Sequence, residues 1–130
     1  MLTIRFATNK DAELIADMSR QTFFETFAPL NLKENMDKFM NEQFNKEKLM
    51  KEVDEVDSIF LLAFDDSNPV GYARLREKNC PPDLNNAEVI EIARIYATAN
   101  SIGKGVGKAL MQECFKIAIE KGKKLIWLGV

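Results

Sequence analysis

Residues 95–110 read Ile95-Tyr96-Ala97-Thr98-Ala99-Asn100-Ser101-Ile102-Gly103-Lys104-Gly105-Val106-Gly107-Lys108-Ala109-Leu110. Three glycines at alternate positions stand between an apolar, β-branched run and the start of an amphipathic helical pattern. Backbone amides of such a turn can converge at a helix N-terminus, where the helix dipole favours an anion. We therefore expect a phosphate-binding turn, to which Lys104 and Lys108 add positive charge.

Two common phosphate-binding motifs do not fit this spacing. A Walker A loop needs a glycine where Ile102 stands, and Ala109 replaces the hydroxyl residue that would bind magnesium. A dinucleotide motif needs Gly-x-Gly-x-x-Gly and an acidic residue about twenty positions further on. Here the glycines are spaced Gly-x-Gly-x-Gly and the following strand is apolar. The dinucleotide alternative is therefore disfavoured but stays open.

The flanking sequence predicts alternating strands and helices. Period-two patterns and apolar runs indicate strands, period 3.6 indicates helices, and Thr8 or Asn9, Asn45 and Gly122 suit helix caps. The predicted strands are 2–7, 59–64, 70–75, 88–96 and 125–130, the helices are 11–27, 30–44, 45–53 and 106–121, and 65–69 and 77–86 are a turn and a loop. This order predicts a single domain over residues 1–130 of the α/β or α+β layered class, with a mixed sheet and helices on both faces.

Composition excludes several classes of function. The 18 basic and 20 acidic residues give a net charge of -2, so no nucleic-acid partner is expected. The longest apolar run, 59–64, is too short to cross a bilayer, and no secretory signal follows Met1. Two cysteines and no histidine suit neither a disulfide framework nor a zinc site. We expect a cytoplasmic protein without a metal or membrane partner.

The pair of motifs Ile95-Tyr96-Ala97 and Gly103 to Leu110 resembles the Gln/Arg-x-x-Gly-x-Gly/Ala acetyl-CoA signature of the GNAT family of N-acetyltransferases. Looser similarity along nearly the whole chain points to the PaiA-type spermidine/spermine acetyltransferases. Ile102 replaces the first Gln/Arg of the signature, and Ala93 stands where similar sequences often carry glutamate. The resemblance implies a mostly antiparallel GNAT sheet and direct transfer of an acetyl group from acetyl-CoA to a small-molecule primary amine, with a polyamine as one such acceptor.

The resemblance also implies a set of cofactor-binding positions. The backbone of β-strand residues Ile95, Tyr96 and Ala97 would pair with the pantetheine arm as with an added strand, and an amide near Ile95 would polarise the thioester carbonyl. Amides of the turn would hold the pyrophosphate. These turn positions are Ile102, Gly103, Lys104, Gly105, Val106, Gly107 and Lys108.

An amine acceptor arrives as an ammonium ion and must lose a proton before it attacks. Glu91 is the predicted base, because it lies at a spacing before Ile102 that some family members show for a base glutamate. Strand alternation predicts that Glu91 shares a face with Ala93 and Ile95. The alternative is a solvated or salt-bridged Glu91, paired with an arginine at position 74 or 94.

Two further features concern the acceptor. Phe23 and Phe27 are predicted to line its pocket, as the family's first helical segment does; the alternative is that these rings belong to the core. The acidic stretch from Glu52 to Asp57 is predicted either to attract a polyamine or to form a solvated face.

The resemblance implies further chain after Val130: a helix with an asparagine and a Phe-Tyr pair, whose tyrosine often protonates the departing thiolate, and two more strands. We therefore expect either a piece of a longer protein or a shortened relative, and a non-catalytic acyl-CoA-binding module stays open as an alternative. An apolar strand ending at Val130 would leave an unpaired edge, so a homodimer is expected.

Overall fold

A computed structural model describes residues 1–77 and 88–128 of the chain. Its helices and strands are β1 (Leu2–Phe6), α1 (Ala12–Phe27), α2 (Lys33–Glu42), α3 (Lys46–Glu52), β2 (Ser58–Asp65), β3 (Asn68–Arg76), β4 (Val89–Ala97), α4 (Val106–Glu120) and β5 (Leu125–Leu128). The strands form one sheet in chain order, antiparallel from β1 to β4 and parallel between β4 and β5. The predicted mixed, mostly antiparallel sheet is confirmed. The dinucleotide alternative is wrong, because a doubly wound fold requires a mostly parallel sheet, whereas three of the four described strand pairs here are antiparallel.

The element boundaries differ from the predictions in a few places. The second helix is shorter than the predicted 30–44, and Asn68 and Pro69 open β3 instead of belonging to the turn. Most of the predicted loop 77–86, with Cys80, and the last two residues of the predicted strand 125–130 lie outside the described residues. The other predicted elements are present within one or two residues.

The predicted cap residues lie at the ends of the helices. The Thr8 hydroxyl accepts a hydrogen bond from Lys10 N, and Asp11 closes the turn by accepting from Thr8 N at 2.9 Å. Asn45 Oδ1 accepts from Lys48 N at 3.0 Å at the start of α3. Gly122, which follows α4, has φ +70°, a left-handed conformation that glycine adopts without strain.

The sheet is packed on both faces. The α4 face buries an apolar cluster that includes Leu75, Ile92 and Leu110. The α1 face buries a second cluster around Ile15 and Tyr72, and a third cluster fills the space between α1, α2 and α3. The buried face of α4 confirms the amphipathic pattern of its sequence and consists of Val106, Leu110, Cys114, Ile117 and Ala118. Burial of both faces explains why β2 reads as a nearly continuous apolar run.

A β-bulge in β4 changes which side chains share a face. Leu75 of β3 pairs with Ile92, whereas the preceding Arg74 pairs with Arg94, so Ala93 is the extra residue. As a result Ile92 and Ile95 both join the α4-side core. Register then places Glu91 with Arg94 on the opposite face, toward α1. The prediction that Glu91 shares a face with Ile95 is therefore wrong, because it assumed uninterrupted alternation.

Candidate active site

Beyond the bulge, β4 has a strand partner on one side only among the described residues. The paired residues of β4 and β5 run from Val89–Leu125 to Ile92–Leu128, the last residue that the structure describes, and Arg94 to Ala97 of β4 pair with β3. Within the described part of the chain, the other edge of this β4 segment has no strand partner. Unpaired backbone groups on such an edge can bind an extended ligand by strand addition.

The open edge leads into the glycine turn. Gly103 and Gly105 have φ of +85° and +86°, values that residues with a side chain rarely adopt. Gly105 is the N-cap of α4 and no side chain among the described residues caps this end. The amides of the first helical turn lack intrahelical carbonyl partners, so they can bind an anion.

The surroundings of the turn leave space for such an anion. A Cβ built at any of the three glycines would contact nothing within 4 Å. Gly107, unlike Gly103 and Gly105, does not have a positive φ. Neither the backbone conformation nor packing within the described residues therefore requires glycine at this position. The absence of a side chain at this position instead suits the close approach of a ligand. Ile102, at 71% exposure, and the exposed Lys104 flank the turn.

The loop between β4 and the turn is held by α1. Glu25 Oε1 accepts a hydrogen bond from Ala99 N at 3.1 Å. The buried Ser101 hydroxyl lies 3.0 Å from Thr98 Oγ1, within the short 3-10 turn that precedes the glycines. Sequence reasoning missed Glu25, because a contact between residues so far apart in the chain leaves no local pattern.

Glu91 is buried one residue before the last β4–β5 pair, opposite Trp127. Its Oε1 lies 3.7 Å from Arg76 Nε, so it belongs to an ion pair. The predicted salt-bridged state of Glu91 is confirmed, but its partner is Arg76. The predicted partners Arg74 and Arg94 bind Glu52 and Glu55 instead. The Glu91 carboxylate thus lies near the last described β4–β5 pair, on the sheet face that α1 covers.

Glu52 at the end of α3 connects two arginines of the sheet. Both its oxygens accept hydrogen bonds from Arg94, at 2.7 and 2.9 Å, and Oε2 also accepts from Arg74 at 3.1 Å. Glu55 accepts from Arg74 at 2.8 Å. Burial lowers the pKa of the Arg74 guanidinium; in Arg94 burial also lowers the pKa, but the hydrogen bonds to Glu52 help raise it overall. Glu52 therefore forms an internal ion-pair network that the prediction for the acidic stretch does not describe, whereas Glu55 binds Arg74 from an exposed position, as a solvated face allows.

Phe23 and Phe27 lie in an aromatic cluster between α1 and α2. Their ring centroids are 4.5 Å apart, and Phe23 also contacts Phe39 and Phe44 at 4.9 and 4.8 Å. Both rings are only partly buried and line a pocket of about 270 Å³ together with Asn31, Asn35, Met36 and Phe39. The position allows both predicted roles, part of the core and wall of a pocket.

An open strand edge that leads into an uncapped, glycine-rich helix N-terminus is the arrangement that suits an acyl-CoA, with an extended arm along the strand and a pyrophosphate at the helix. Residues 16–130 match the model of the acetyltransferase (GNAT) family, and the chain belongs to this family. It is an N-acetyltransferase of the kind that uses acetyl-CoA and acts on amines.

Two sequence relatives are similar over most of the chain. An uncharacterized N-acetyltransferase of Lactobacillus delbrueckii subsp. lactis is 33% identical over 127 residues, which cover 95% of this chain and 71% of the relative. The spermidine N(1)-acetyltransferase of Thermoplasma acidophilum is 30% identical over 125 residues, covering 93% of this chain and 73% of that enzyme.

Solved structures give the same fold. The PaiA N-acetyltransferase of Thermoplasma acidophilum in complex with coenzyme A aligns with a TM-score of 0.74 at 28% identity, covering 94% of this chain and 74% of the other. A putative acetyl transferase from Pyrococcus furiosus aligns with a TM-score of 0.74 at 20% identity, over all of this chain and 83% of the other, which supports the fold alone.

Two features do not occur in residues 1–77 and 88–128. Their helices include none with the length and apolar character needed to span a bilayer. Their acidic and cysteine side chains form no group of three or more that could hold a metal ion.

Proposed function

We propose that this protein transfers the acetyl group of acetyl-CoA directly to a primary amine of a small molecule, with polyamines as the acceptor class. The observation that carries the proposal is the open edge of β4 that runs from the bulge into the unfilled glycine turn. The polyamine acceptor is supported by the similarity to the spermidine acetyltransferase of Thermoplasma acidophilum. The cytoplasmic location and the homodimer stay predictions.

In this proposal the backbone of β4 and the turn binds the cofactor, which supplies an acetyl thioester. The edge groups of Ile95, Tyr96 and Ala97 hold the pantetheine arm, because among the described residues they pair with β3 alone. The amides of residues 102–108 hold the pyrophosphate at the start of α4. Exposed Lys104 and Lys108 add charge attraction, which weakens as salt concentration rises.

Glu91 is proposed as the group that removes the proton of the ammonium acceptor, directly or through a water. Its support is its place on β4 four residues before Ile95, and its burial at 3% exposure, which excludes bulk solvent from the carboxylate. The guanidinium of Arg76 lies 3.7 Å from this carboxylate and keeps a positive charge beside it.

Phe23 and Phe27 are proposed to bind the acceptor chain. They line the pocket on the α1 side of the sheet, which is also the face of Glu91. An aromatic wall can bind methylene groups by apolar contact and an ammonium group by cation–π attraction, the two chemical features that alternate in a polyamine.

Calorimetric titration with CoA, with NAD as the control ligand, tests the cofactor site. Release of CoA thiol is then measured with acetyl-CoA and a panel of spermidine, spermine, putrescine and the monoamine butylamine. Micromolar binding of CoA alone, followed by turnover with the polyamines, is the expected result. Binding without turnover for any amine would support the non-catalytic acyl-CoA-binding alternative, and binding of NAD in place of CoA would contradict both.

A further inference from the structure

A chain of contacts connects the β4 bulge to the aromatic pocket. Arg94 directly follows the extra residue Ala93, and its side chain, 17% exposed, is bound by both oxygens of Glu52 at 2.7 and 2.9 Å. A two-point pairing of this kind fixes the plane of a guanidinium as well as its position. Glu52 therefore determines where the flat face of Arg94 lies.

That face is used to hold an aromatic ring. The Arg94 guanidinium lies 5.2 Å from the ring centroid of Phe44, and the Phe44 ring lies 4.8 Å from that of Phe23. The backbone of Phe44 is fixed independently, because Arg20 of α1 donates a hydrogen bond to its carbonyl oxygen at 2.5 Å. Arg20 thus fixes the backbone of Phe44 and Arg94 fixes its ring, and the ring packs against Phe23 in the wall of the pocket.

We propose that Arg94 is a positioning residue for the acceptor: through Phe44 it sets the place of Phe23 in the pocket, and Glu52 orients Arg94 for this role. The inference rests on the proposed function, in which Phe23 contacts the acceptor. Since Arg94 is adjacent in the chain to Ile95, one short segment of β4 then contributes to both substrate sites. Its backbone edge serves the cofactor, and its arginine side chain serves the acceptor pocket on the α1 face.

The same network offers a matched control. Glu52 also binds Arg74, whose other carboxylate partner is Glu55 at 2.8 Å. The Arg74 guanidinium lies 5.6 Å from the ring centroid of Phe60, which belongs to the core beneath α1 and does not line the aromatic pocket. Removing the Glu55 charge therefore disturbs the network without disturbing the contact between Arg94 and Phe44.

The test compares Glu52→Gln with Glu55→Gln in the full chain, using the panel amine with the highest kcat/KM. Glu52→Gln is expected to raise the KM of the amine about tenfold, while the Kd of CoA changes by less than about twofold. Glu55→Gln is expected to leave both constants at the wild-type value. Phe44→Leu, which keeps every ion pair, should raise the amine KM similarly, and combining it with Glu52→Gln should add little.

A purely structural role for Glu52 gives a different pattern. The thermal midpoint would fall while the amine KM stayed at the value of Glu55→Gln, and that result would overturn the proposal. If Glu52→Gln does not fold, Phe44→Leu decides alone, since an unchanged amine KM in that variant contradicts the inference. A wild-type chain that acetylates no amine of the panel refutes the proposed function and the inference with it, an outcome distinct from an active wild type with insensitive variants.

Discussion

Gly71 of β3 lies against Val106, the first residue of α4. A Cβ on Gly71 would come within 2.7 Å of Val106 Cγ1 and also within 2.7 Å of the Tyr96 carbonyl oxygen. Gly71 pairs with Ala97 across the sheet. This missing side chain therefore lets the start of α4, where the proposed pyrophosphate site lies, pack directly over the end of β4.

Gly71→Ala is expected to destabilise the fold by about 1–3 kcal/mol, because the added methyl group forces backbone or helix to move in a packed region. Urea denaturation measures the change. The same shift of α4 should weaken CoA binding in calorimetry. Unchanged stability together with unchanged CoA affinity would show that α4 does not pack against this strand as described.

Gly107→Ala separates ligand binding from stability. The position has open space and no positive φ, so alanine should keep or raise the stability, by up to about 1 kcal/mol from helix propensity. The new methyl group would lie in the proposed pyrophosphate site, so the Kd of CoA should rise at least about fivefold. Gly122→Ala is the control: at φ +70° it should lower the thermal midpoint and leave CoA affinity unchanged.

Glu91→Gln tests the proposed base. Glutamine cannot accept the proton, so kcat at neutral pH should fall by about 100-fold or more while the Kd of CoA is retained. Part of the loss should be recovered at alkaline pH, where more of the amine arrives already neutral. Glu88→Gln, at an exposed carboxylate that pairs with Lys124 at 3.2 Å, should behave as wild type. A wild-type kcat and pH profile in Glu91→Gln would restrict Glu91 to its ion pair with Arg76.

Asp11 should make stability depend on pH in the acid range. Hydrogen bonds from Arg5 lower the pKa of the Asp11 carboxyl from 3.8 to about 2, against the effect of partial burial. A lowered pKa in the folded state means that the stabilisation is present above about pH 4 and is lost as pH falls toward 2. Because Arg5 is half-exposed, we expect about 1 kcal/mol.

Asp11→Asn should therefore lower the free energy of unfolding at pH 7 and converge with wild type near pH 2, as measured by urea denaturation across that range. Asp66→Asn is the matched control, because Asp66 binds only an exposed terminal ammonium group and should change little. A constant difference between Asp11→Asn and wild type from pH 7 to pH 2 would exclude the ion pair as the cause.

Local patterns predicted most of the fold. The order of strands and helices, the caps at Asn45 and Gly122 and the glycine turn follow from spacing and residue type within a few positions of the chain. These features depend on backbone conformation and on short contacts along the chain. Sequence could therefore specify them without knowledge of the rest of the molecule.

The surroundings of Glu91 and Phe23 were decided only when distant segments came together. Because of the bulge at Ala93, Glu91 lies on the sheet face opposite to the expected one. The carboxylate of Glu91 pairs with Arg76 instead of the predicted arginines. A one-residue bulge leaves no change in the apolar pattern that distinguishes it from regular alternation, yet it redirects every later side chain of the strand.

The sequence by itself determined that a phosphate-binding turn stands between a strand and an amphipathic helix, because glycines and helix N-termini act over a few adjacent residues. Only the tertiary structure decided that a bulge interrupts the pairing of β4 with β3 before this turn, and that Glu52 joins two arginines of neighbouring strands. Both depend on pairing between segments far apart in the chain. Such pairing is selected by the packing of the whole sheet and its helices, not by any single stretch of residues.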